Sequence, residues 1–350
     1  MGRGILRSEK KDIMRVNTHI EIEPGLKVAA QMSAEPSEEE MAFVRQTGVE
    51  YAVTWIDSDK AGPAYYRSRQ EHFASGGITL YGLGKSSVHN VPEITLNLPG
   101  RDEKVAEYLE HIRNLGQADI PYTTYAHMAN SVWSTPPEQT RGGSRARAFD
   151  LARIEEASGG GFKGSGLTHG REYSEEELWD NFASFIAEVV PVAEEAGVRI
   201  GIHPDDPPGV KLGGVPRPIF SSFDGYQRAM DIADSPNVGL CLCIGCWLEG
   251  GEAMGKGVVE TIHHFGGQGK IFKVHYRNVD RPLPHFVETF VDDGYFDMYE
   301  AMKALEEVGY NGTLIPDHIP QMGDDDRLGT AYTLAYMRAL QQRAANEVHG

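Results

Sequence analysis

Four residues with metal-binding side chains recur along the second half of the chain at nearly regular intervals. His203, Cys243, His275 and Asp317 are separated by 40, 32 and 42 residues. The first three end apolar runs, and the fourth comes just after another such run. Imidazole, thiolate and carboxylate groups bind divalent transition metals, and an open coordination position is typical of a catalytic metal site. The spacing therefore predicts one divalent metal ion, held by four strand ends and open to a substrate.

Each of these residues also has a simpler interpretation. A histidine at a strand end is often a hydrogen-bonded rim residue, a free cysteine often behaves as a small apolar side chain, and Asp317 could cap a turn. Among the three cysteines, Cys241 lies one layer deeper on the strand than Cys243, and Cys246 follows the strand. Cys243 is therefore the predicted ligand. Four coincidences at consecutive strand ends favour the metal site.

The elements that must position these residues alternate between strands and helices. Apolar runs predict eight strands, at residues 28–32, 51–55, 78–83, 122–125, 198–203, 238–243, 271–275 and 313–315. Amphipathic patterns predict eight helices, at residues 37–46, 64–74, 102–115, 174–196, 223–233, 251–265, 298–308 and 328–342. Eight such units predict an α/β fold, a (β/α)₈ TIM barrel whose strand ends converge on one face. A doubly wound open sheet has the same local pattern and is the structural alternative.

One long stretch interrupts this alternation. Residues 126–173 are rich in Gly, Ser and Arg and show no lasting periodicity. We expect an insertion after strand four of a single domain spanning residues 1–350, with residues 1–20 as a basic N-terminal extension. The insertion is predicted to be a mobile flap over the barrel mouth, where Arg141, Arg145 and Arg147 would help recruit an anionic substrate. A solvated, disordered excursion is the alternative.

Composition restricts the partners. The chain has 33 Lys and Arg against 51 Asp and Glu, a formal net charge of −18, which disfavours nucleic acid and anionic membranes as partners. Neither a bilayer-spanning apolar run nor a signal peptide is recognisable. Three cysteines within one short segment do not form a disulfide framework. We expect a cytoplasmic protein with a small-molecule substrate, and self-association into a homo-oligomer is left open.

Longer motifs add a family resemblance. Over residues 86 to 320 the chain reads VHNVPEITLNLPGRD, YSEEELWDNF, PVAEEAGVRIGIHPDDPP, LGGVPRPIF, KVHYRNV, DMYEAMKAL and PDH. These segments resemble the D-mannonate dehydratase family, manganese-dependent TIM barrels of the xylose-isomerase-like superfamily that act in hexuronate breakdown. HPDDPP followed by LGG-P-R is the most specific of them. The chain is therefore similar to a divergent member of that family.

The resemblance implies roles for individual residues. It implies the same four metal ligands as the spacing, His203, Cys243, His275 and Asp317, and it makes His318, which follows the last ligand, a catalytic histidine. The metal would be Mn²⁺ by resemblance, although this donor set has a higher intrinsic affinity for Zn²⁺, and Fe²⁺ and Co²⁺ are further alternatives. The implied substrate-binding residues are His89, Asp205, Arg277 and Asn278, joined by Arg141 of the insertion.

The implied activity is that of a hydro-lyase. A base removes the C2 proton of a sugar acid while an acid protonates the departing C3 hydroxyl, so D-mannonate would give 2-keto-3-deoxy-D-gluconate. The metal would act as Lewis acid and template, and a histidine suits proton transfer near neutral pH. Arg277 could hold the substrate carboxylate with two hydrogen bonds.

The chain also departs from the family pattern. VAAQMSAEP stands where an Arg-Trp strand end is expected, Ala126 replaces an expected Asn, and FVDDGYFDM replaces an acidic, His-containing run. A Gly-Tyr segment that supplies a catalytic tyrosine is missing between Met322 and Arg327, which leaves Tyr332 as the nearest candidate. Two alternatives therefore stay open: a metal-dependent sugar isomerase or epimerase on the same barrel, and a non-catalytic binding protein.

Overall fold

Eight parallel strands close into a barrel in the computed structural model of this chain, which describes residues 19–57, 62–217 and 219–350. Including the strands outside the barrel, the strands of the described residues are, in chain order, β1 (Lys27–Met32), β2 (Tyr51–Ile56), β3 (Thr79–Lys85), β4 (Tyr122–Tyr125), β5 (Thr135–Gln139), β6 (Arg145–Asp150), β7 (Ser158–Gly159), β8 (Phe162–Lys163), β9 (Arg199–Ile202), β10 (Val238–Cys243), β11 (Ile271–Tyr276), β12 (Asn278–Val279), β13 (His285–Thr289) and β14 (Thr313–Pro316). The barrel order is β1-β14-β11-β10-β9-β4-β3-β2. The predicted barrel is confirmed. Most of the predicted N-terminal extension lies outside the described residues.

Helices surround the barrel. They are α1 (Glu38–Gln46), α2 (Pro63–Ser75), α3 (Pro92–Thr95), α4 (Arg101–Gln117), α5 (Glu175–Ala196), α6 (Phe223–Ala233), α7 (Ile244–Gly250), α8 (Val258–Thr261), α9 (Met298–Glu307) and α10 (Asp326–His349). Local capping residues define the ends of α5: Ser174 and Glu177 form a capping box at its start, and Gly197 ends it in the left-handed conformation. Among the helices in the described ranges, none is long and apolar enough to cross a membrane.

One predicted helix is wrong. Residues 251–265 were expected to form a single helix, but α7 starts earlier and a 3₁₀ turn at Gly251–Met254 separates it from α8, which continues as a π-helix at Ile262–Gly266. Gly251 and Gly255 have φ values of 55° and 82°, which are incompatible with a right-handed helix. The glycines therefore divide the amphipathic pattern.

Large side chains fill part of the barrel interior. Val53, Tyr81, Tyr122, Phe272 and Ile315 form one buried cluster there. The barrel interior is thus a packed core, in keeping with the fold.

The insertion at residues 126–173 is more regular than expected. Its strands β5 and β6 pair with each other, and β6 pairs with β13, giving an antiparallel sheet in the order β12-β13-β6-β5. Trp133 and Phe149 of the insertion are fully buried. The expectation of an irregular stretch is wrong, because the insertion completes a sheet with strands that follow barrel strand β11. Its predicted mobility stays a prediction.

Candidate active site

Strand register brings the predicted metal ligands to one level at the carboxyl end of the barrel. Cys243 pairs with His275 across β10 and β11, and Tyr276 pairs with Pro316, so Asp317 emerges next to the same position. His203 directly follows the last residue of β9. Because all these strands are parallel, their ends meet at one face, where barrel active sites are built.

The four side chains lie close together, each near at least one of the others. His203 Nε2 is 3.2 Å from His275 Nδ1, and Asp317 Oδ2 is 3.3 Å from the same nitrogen. The donor atoms of His203, Cys243 and Cys246 all lie within 4.8 Å of one another. The same is true of the donor atoms of Cys243, His275 and Asp317. The two groups share the Cys243 sulfur.

Two observations test whether a metal fits this cluster. The Nδ1–H of His203 donates to the Pro204 carbonyl at 2.7 Å, which leaves Nε2 with a lone pair facing the cluster, the arrangement usual for a histidine ligand. His275 faces His203 and Asp317 with Nδ1, so a second ring nitrogen is directed at the cluster. The donor set of two imidazoles, a sulfur and a carboxylate therefore fits a divalent metal.

The two sulfurs of the cluster differ in protonation. Burial opposes ionisation of Cys243, but a hydrogen bond from Cys246 and the charge of Arg277 outweigh it and hold the pKa of the Cys243 thiol well below its usual value. Burial and the neighbouring Cys243 raise the pKa of Cys246 well above normal. Cys243 is therefore the thiolate, and Cys246 stays a thiol that supports it.

A network of buried charges lies behind the cluster. Arg277 donates from Nε to Asp317 (3.1 Å), from Nη1 to Glu249 (2.6 Å), and from Nη2 to Asp206 (3.0 Å) and the Cys246 sulfur (3.3 Å). Its Nη1 also lies 3.1 Å from Glu288. Four N–H donors of the guanidinium are hydrogen-bonded, and Glu288 is a further ion-pair partner. Arg277 therefore supports Asp317 and the buried carboxylates, and substrate contact by Arg277 stays a prediction.

The acidic members of this network do not form a second metal site. Asp206, Cys246 and Glu249 are close enough to hold an ion. The guanidinium of Arg277 contacts all three, and that of Arg147 contacts both carboxylates. Two arginines already supply the positive charge that a cation would bring, so the group is an ion-pair network.

His318 stands between two cavities at the barrel mouth. One, of about 340 Å³, is also lined by Asp317, Gln31 and Thr330, and the other, of about 660 Å³, lies against the insertion. The His318 backbone has φ 47°, unusual for a residue other than glycine. A larger cavity of about 980 Å³ opens beside the amino ends of β2 and β3, at the opposite end of the barrel from these donors.

The surroundings of His318 favour its charged form. Its Nδ1 lies 2.8 Å from Glu288 Oε1, and its Nε2 is 4.0 Å from Asp317 Oδ1, too far for a hydrogen bond. Partial burial lowers the pKa of His318, but the carboxylates of Asp317 and Glu288 outweigh it and raise that pKa to about 9. With Nδ1 engaged, Nε2 is the nitrogen free to exchange a proton.

The predicted substrate-binding residues have different surroundings. His89 is half-buried, packs edge-on against Trp55 at 4.7 Å, and has a buried Nδ1 without a partner in the described ranges. Burial, together with nearby His203, lowers its pKa to about 3. Asp205 is buried and accepts a hydrogen bond from the Ser221 hydroxyl. His89 therefore lies near the cluster as a neutral ring, and Asp205 already has a protein partner.

The side chain of Asn278 makes two local hydrogen bonds. Its side-chain amide donates to the Phe296 carbonyl at 2.8 Å, and its oxygen accepts from the Val279 backbone. Both ends of the amide are thus used to hold the chain after β12. Substrate contact by Asn278 stays a prediction, because one amide hydrogen and one lone pair of the oxygen are not used by these two bonds.

The insertion arginines and Tyr332 form separate groups. Arg141 is exposed and pairs with Asp292 at 2.8 Å, and its guanidinium lies 3.4 Å from the Tyr332 hydroxyl. Tyr332 does not line either of the two cavities described beside His318. A catalytic role for Tyr332 stays a prediction, as does substrate contact by Arg141.

Arg145 lines the cavity between the insertion and His318. Arg147 instead extends into the buried network, where it contacts Asp206, Glu249 and Glu288. A side chain neutralised by three carboxylates attracts no anion, so the expected recruiting role of Arg147 is corrected.

The residues that sequence reasoning missed are the carboxylates behind the cluster. Asp206 stands in the HPDDPP motif, but Glu249 and Glu288 carry no motif and come from α7 and from β13, outside the barrel strands. The alternation of basic and small residues in Arg145-Ala146-Arg147-Ala148 has the two-residue period of a strand, but it does not identify the carboxylates that contact Arg147.

The fold and the donors at its mouth define a class, the (β/α)₈ barrels with a candidate metal centre on the catalytic face. A family model described as D-mannonate dehydratase (UxuA) matches residues 164–348. Mannonate dehydratase 2 of Halalkalibacterium halodurans is 33% identical over 265 residues, which is 69% of this chain and 75% of that protein. The mannonate dehydratase of Thermotoga neapolitana is 31% identical over 311 residues, covering 78% and 84%.

Solved structures agree on the fold. A mannonate dehydratase from Streptococcus suis serotype 2 superimposes with a TM-score of 0.82 at 24% identity, covering 93% of this chain and 95% of that one. An L-ribulose 3-epimerase superimposes with a TM-score of 0.60 at 13% identity, covering 93% and 97%. The chain belongs to the D-mannonate dehydratase family, and it is a hydro-lyase.

Proposed function

We propose that this enzyme dehydrates a sugar acid, with D-mannonate as the first candidate and 2-keto-3-deoxy-D-gluconate as its product. The supporting observation is the convergence of His203, Cys243, His275 and Asp317 beside His318 at the barrel mouth. The names of the relatives support the substrate, because two of them at 31–33% identity are mannonate dehydratases.

One divalent metal would be held by the two imidazoles, the Cys243 thiolate and the Asp317 carboxylate. Such an ion supplies Lewis-acid polarisation of a bound carboxylate and hydroxyl. Mn²⁺ is the proposed ion by family, while the nitrogen and sulfur donors would bind Zn²⁺ more tightly, with Fe²⁺ and Co²⁺ between them. Cellular availability would then select the ion.

His318 would transfer the proton through Nε2. Its Nδ1 is engaged by Glu288, and its raised pKa supplies an imidazolium at neutral pH that can protonate the departing C3 hydroxyl. The same ring, once neutral, is a base. Removal of the C2 proton needs a base on the other side of the substrate, and His89, a neutral buried ring near His203, is one group with a free nitrogen there.

The remaining expectations follow from the substrate. A small sugar acid is a metabolite, so we propose that the enzyme acts in the cytoplasm in hexuronate degradation, without nucleic acid or membrane partners. The insertion at residues 126–173 would cover the bound substrate as part of a single domain spanning residues 1–350. Arg141 and Arg145, both exposed, would attract the anion.

A metal-by-substrate assay tests the proposal. The protein is stripped of metal, reconstituted separately with Mn²⁺, Zn²⁺, Fe²⁺ or Co²⁺, and incubated with D-mannonate and with other aldonic acids. We expect a 2-keto-3-deoxy acid with Mn²⁺. Metal content measured in parallel separates a wrong substrate from an empty site: full occupancy without product from any aldonic acid would exclude the dehydratase assignment.

The same samples test the alternative of an isomerase or epimerase. In deuterated water that activity would introduce deuterium at a carbon of a neutral sugar without loss of a hydroxyl, which NMR detects. A dehydratase loses water and gives a 3-deoxy product. Exchange without dehydration, on any sugar of the panel, would favour the alternative.

A further inference from the structure

Glu288 contacts His318 from a strand that is not part of the barrel. It lies on β13, and only 1% of its side chain is exposed. Its Oε1 accepts from His318 Nδ1 at 2.8 Å. The His318 side chain is 35% exposed and follows β14 on a loop, so little packing fixes its ring.

The His318 ring has few other restraints. Its second nitrogen is 4.0 Å from Asp317, beyond hydrogen-bond distance. Among the described residues, Glu288 is the hydrogen-bond partner of the His318 ring. Without that bond the His318 ring could rotate about its side-chain torsions. Its Nε2 would then no longer point in one direction.

Glu288 is itself held by the insertion. Arg147 on β6 donates from Nη1 to Glu288 Oε1 at 2.8 Å and also contacts Asp206 and Glu249. The pairing of Phe149 with Phe286 and of Ala148 with Val287 sets β6 against β13 next to this contact. The Arg147 guanidinium lies 5.4 Å from the Phe286 ring centroid. The position of Glu288 therefore depends on a strand of the insertion.

We propose that Glu288 is a positioning residue for His318 and that Arg147 of the insertion holds Glu288 in place. The inserted sheet is then a structural part of the proton-transfer apparatus, in addition to any covering role. This inference rests on the proposed function for its effect on rate, whereas the orientation of the ring can be measured without any substrate.

The physical reason is orientation. Proton transfer requires the nitrogen within hydrogen-bond distance of the reacting atom, and a small misplacement lowers the rate by about 100-fold. Substrate binding and metal binding use other groups. A positioning role therefore predicts a fall in kcat with an unchanged KM and an unchanged metal content.

Glu288→Ala, Glu288→Gln and Arg147→Ala form the test set, each with and without His318→Gln. We expect Glu288→Ala to lower kcat about 100-fold and Glu288→Gln, which keeps the acceptor oxygen, about 10-fold. In the His318→Gln background both changes should alter kcat less than about 2-fold, because the residues act as one unit. Arg153→Ala is the matched control, an insertion arginine paired with Glu156 that should leave kcat unchanged.

A spectroscopic measurement keeps the test independent of turnover. In protein labelled with ¹⁵N-histidine, the Nδ1–H of His318 should give a downfield proton resonance, identified by its loss in His318→Gln. It should persist in Glu288→Gln and in Arg153→Ala, and vanish in Glu288→Ala. If it persists in Glu288→Ala, the positioning role is wrong, whatever the enzyme's substrate.

The kinetic outcomes are equally decisive. Equal loss of rate from Glu288→Gln in both His318 backgrounds, or a loss of bound metal in parallel with kcat, would mean that Glu288 only stabilises the fold. Glu288→Ala removes one carboxylate from the buried network around Arg147 and Arg277 and could fail to fold, so Glu288→Gln carries the kinetic test in that case. Absence of turnover with all sugar acids, together with the expected resonances, would reject the proposed function and retain the positioning role.

Discussion

Histidines at the barrel mouth differ in their electrostatic surroundings from histidines in the barrel wall, the buried contact between the barrel strands and the surrounding helices. At the mouth, the carboxylates of Asp317 and Glu288 overcome partial burial and raise the pKa of His318 to about 9. In the wall, burial lowers the pKa of His111 on α4 to about 3, and among the described residues its ring bonds to the hydroxyls of Tyr66 (2.6 Å) and Thr123 (3.1 Å). The residue type is the same, and the partners differ in charge.

This difference teaches how to recognise a functional histidine here. A ring with neutral hydroxyl partners stays neutral and contributes packing and hydrogen bonds. A ring that faces a thiolate or a carboxylate is placed to transfer a proton or to bind a metal ion. His203 and His275 belong to the second kind, because the pKa of each is raised despite full burial, by Cys243 for His203 and by Asp317 for His275.

The largest effect is expected from loss of a ligand at the mouth. His275→Ala removes one donor and leaves Asp317 and the Cys243 thiolate without a cation between them. Activity should fall to that of wild-type protein treated with a chelator, and bound metal measured by elemental analysis should fall with it. Normal metal content in this variant would exclude His275 from the ligand set.

His318→Gln should have the next largest effect. A glutamine cannot transfer a proton at neutral pH, so we expect kcat to fall roughly 10²- to 10⁴-fold while bound metal stays unchanged. The measurement is steady-state kinetics with elemental analysis of the same sample. Wild-type kcat in His318→Gln would contradict the assignment and place proton transfer on another group.

Low pH should reduce the stability of the fold through the buried, neutral histidines of the wall. The folded-state pKa of His111 is about 3 against an unfolded value near 6.5, so only the unfolded chain gains this proton between those values. Its stabilising effect is therefore complete above pH 6.5 and is lost as the pH falls, by about 1.4 kcal/mol per pH unit. Urea unfolding of wild type and His111→Gln from pH 7 to pH 4.5 should show a shallower loss in the variant. Parallel curves would contradict the neutral assignment.

The smallest effect is expected from a partner change in the wall. Tyr66→Phe removes the hydroxyl that contacts His111 and should lower the free energy of unfolding by about 1–2 kcal/mol. The kinetic constants and bound metal should equal those of the wild type, because the pair lies away from the metal-ligand cluster. A selective change in kcat without a change in stability would mean that the wall and the mouth are coupled.

Much of the architecture could be predicted from local sequence. The non-alternating apolar run at residues 238–243 coincides with strand β10, since a strand buried on both faces favours apolar residues throughout. The predicted strand at residues 122–125 coincides with β4, which is also fully buried although its two central residues are threonines. Local capping chemistry placed both ends of α5. The single helix predicted over residues 251–265 does not form, because Gly251 and Gly255 have positive φ values. Hydrophobic periodicity alone does not reveal such positions.

The candidate ligands could also be predicted, because parallel strands of one barrel end at one level. The sequence alone therefore determined the barrel, its catalytic face, and which four donors would meet there. Only the tertiary structure decided which charged residues are free to act. Arg277 and Arg147 have the side chains of anion-binding residues, but segments distant in sequence bring Asp206, Glu249 and Glu288 against them. Pairing across such distances depends on how the inserted sheet packs, and no local pattern carries that information.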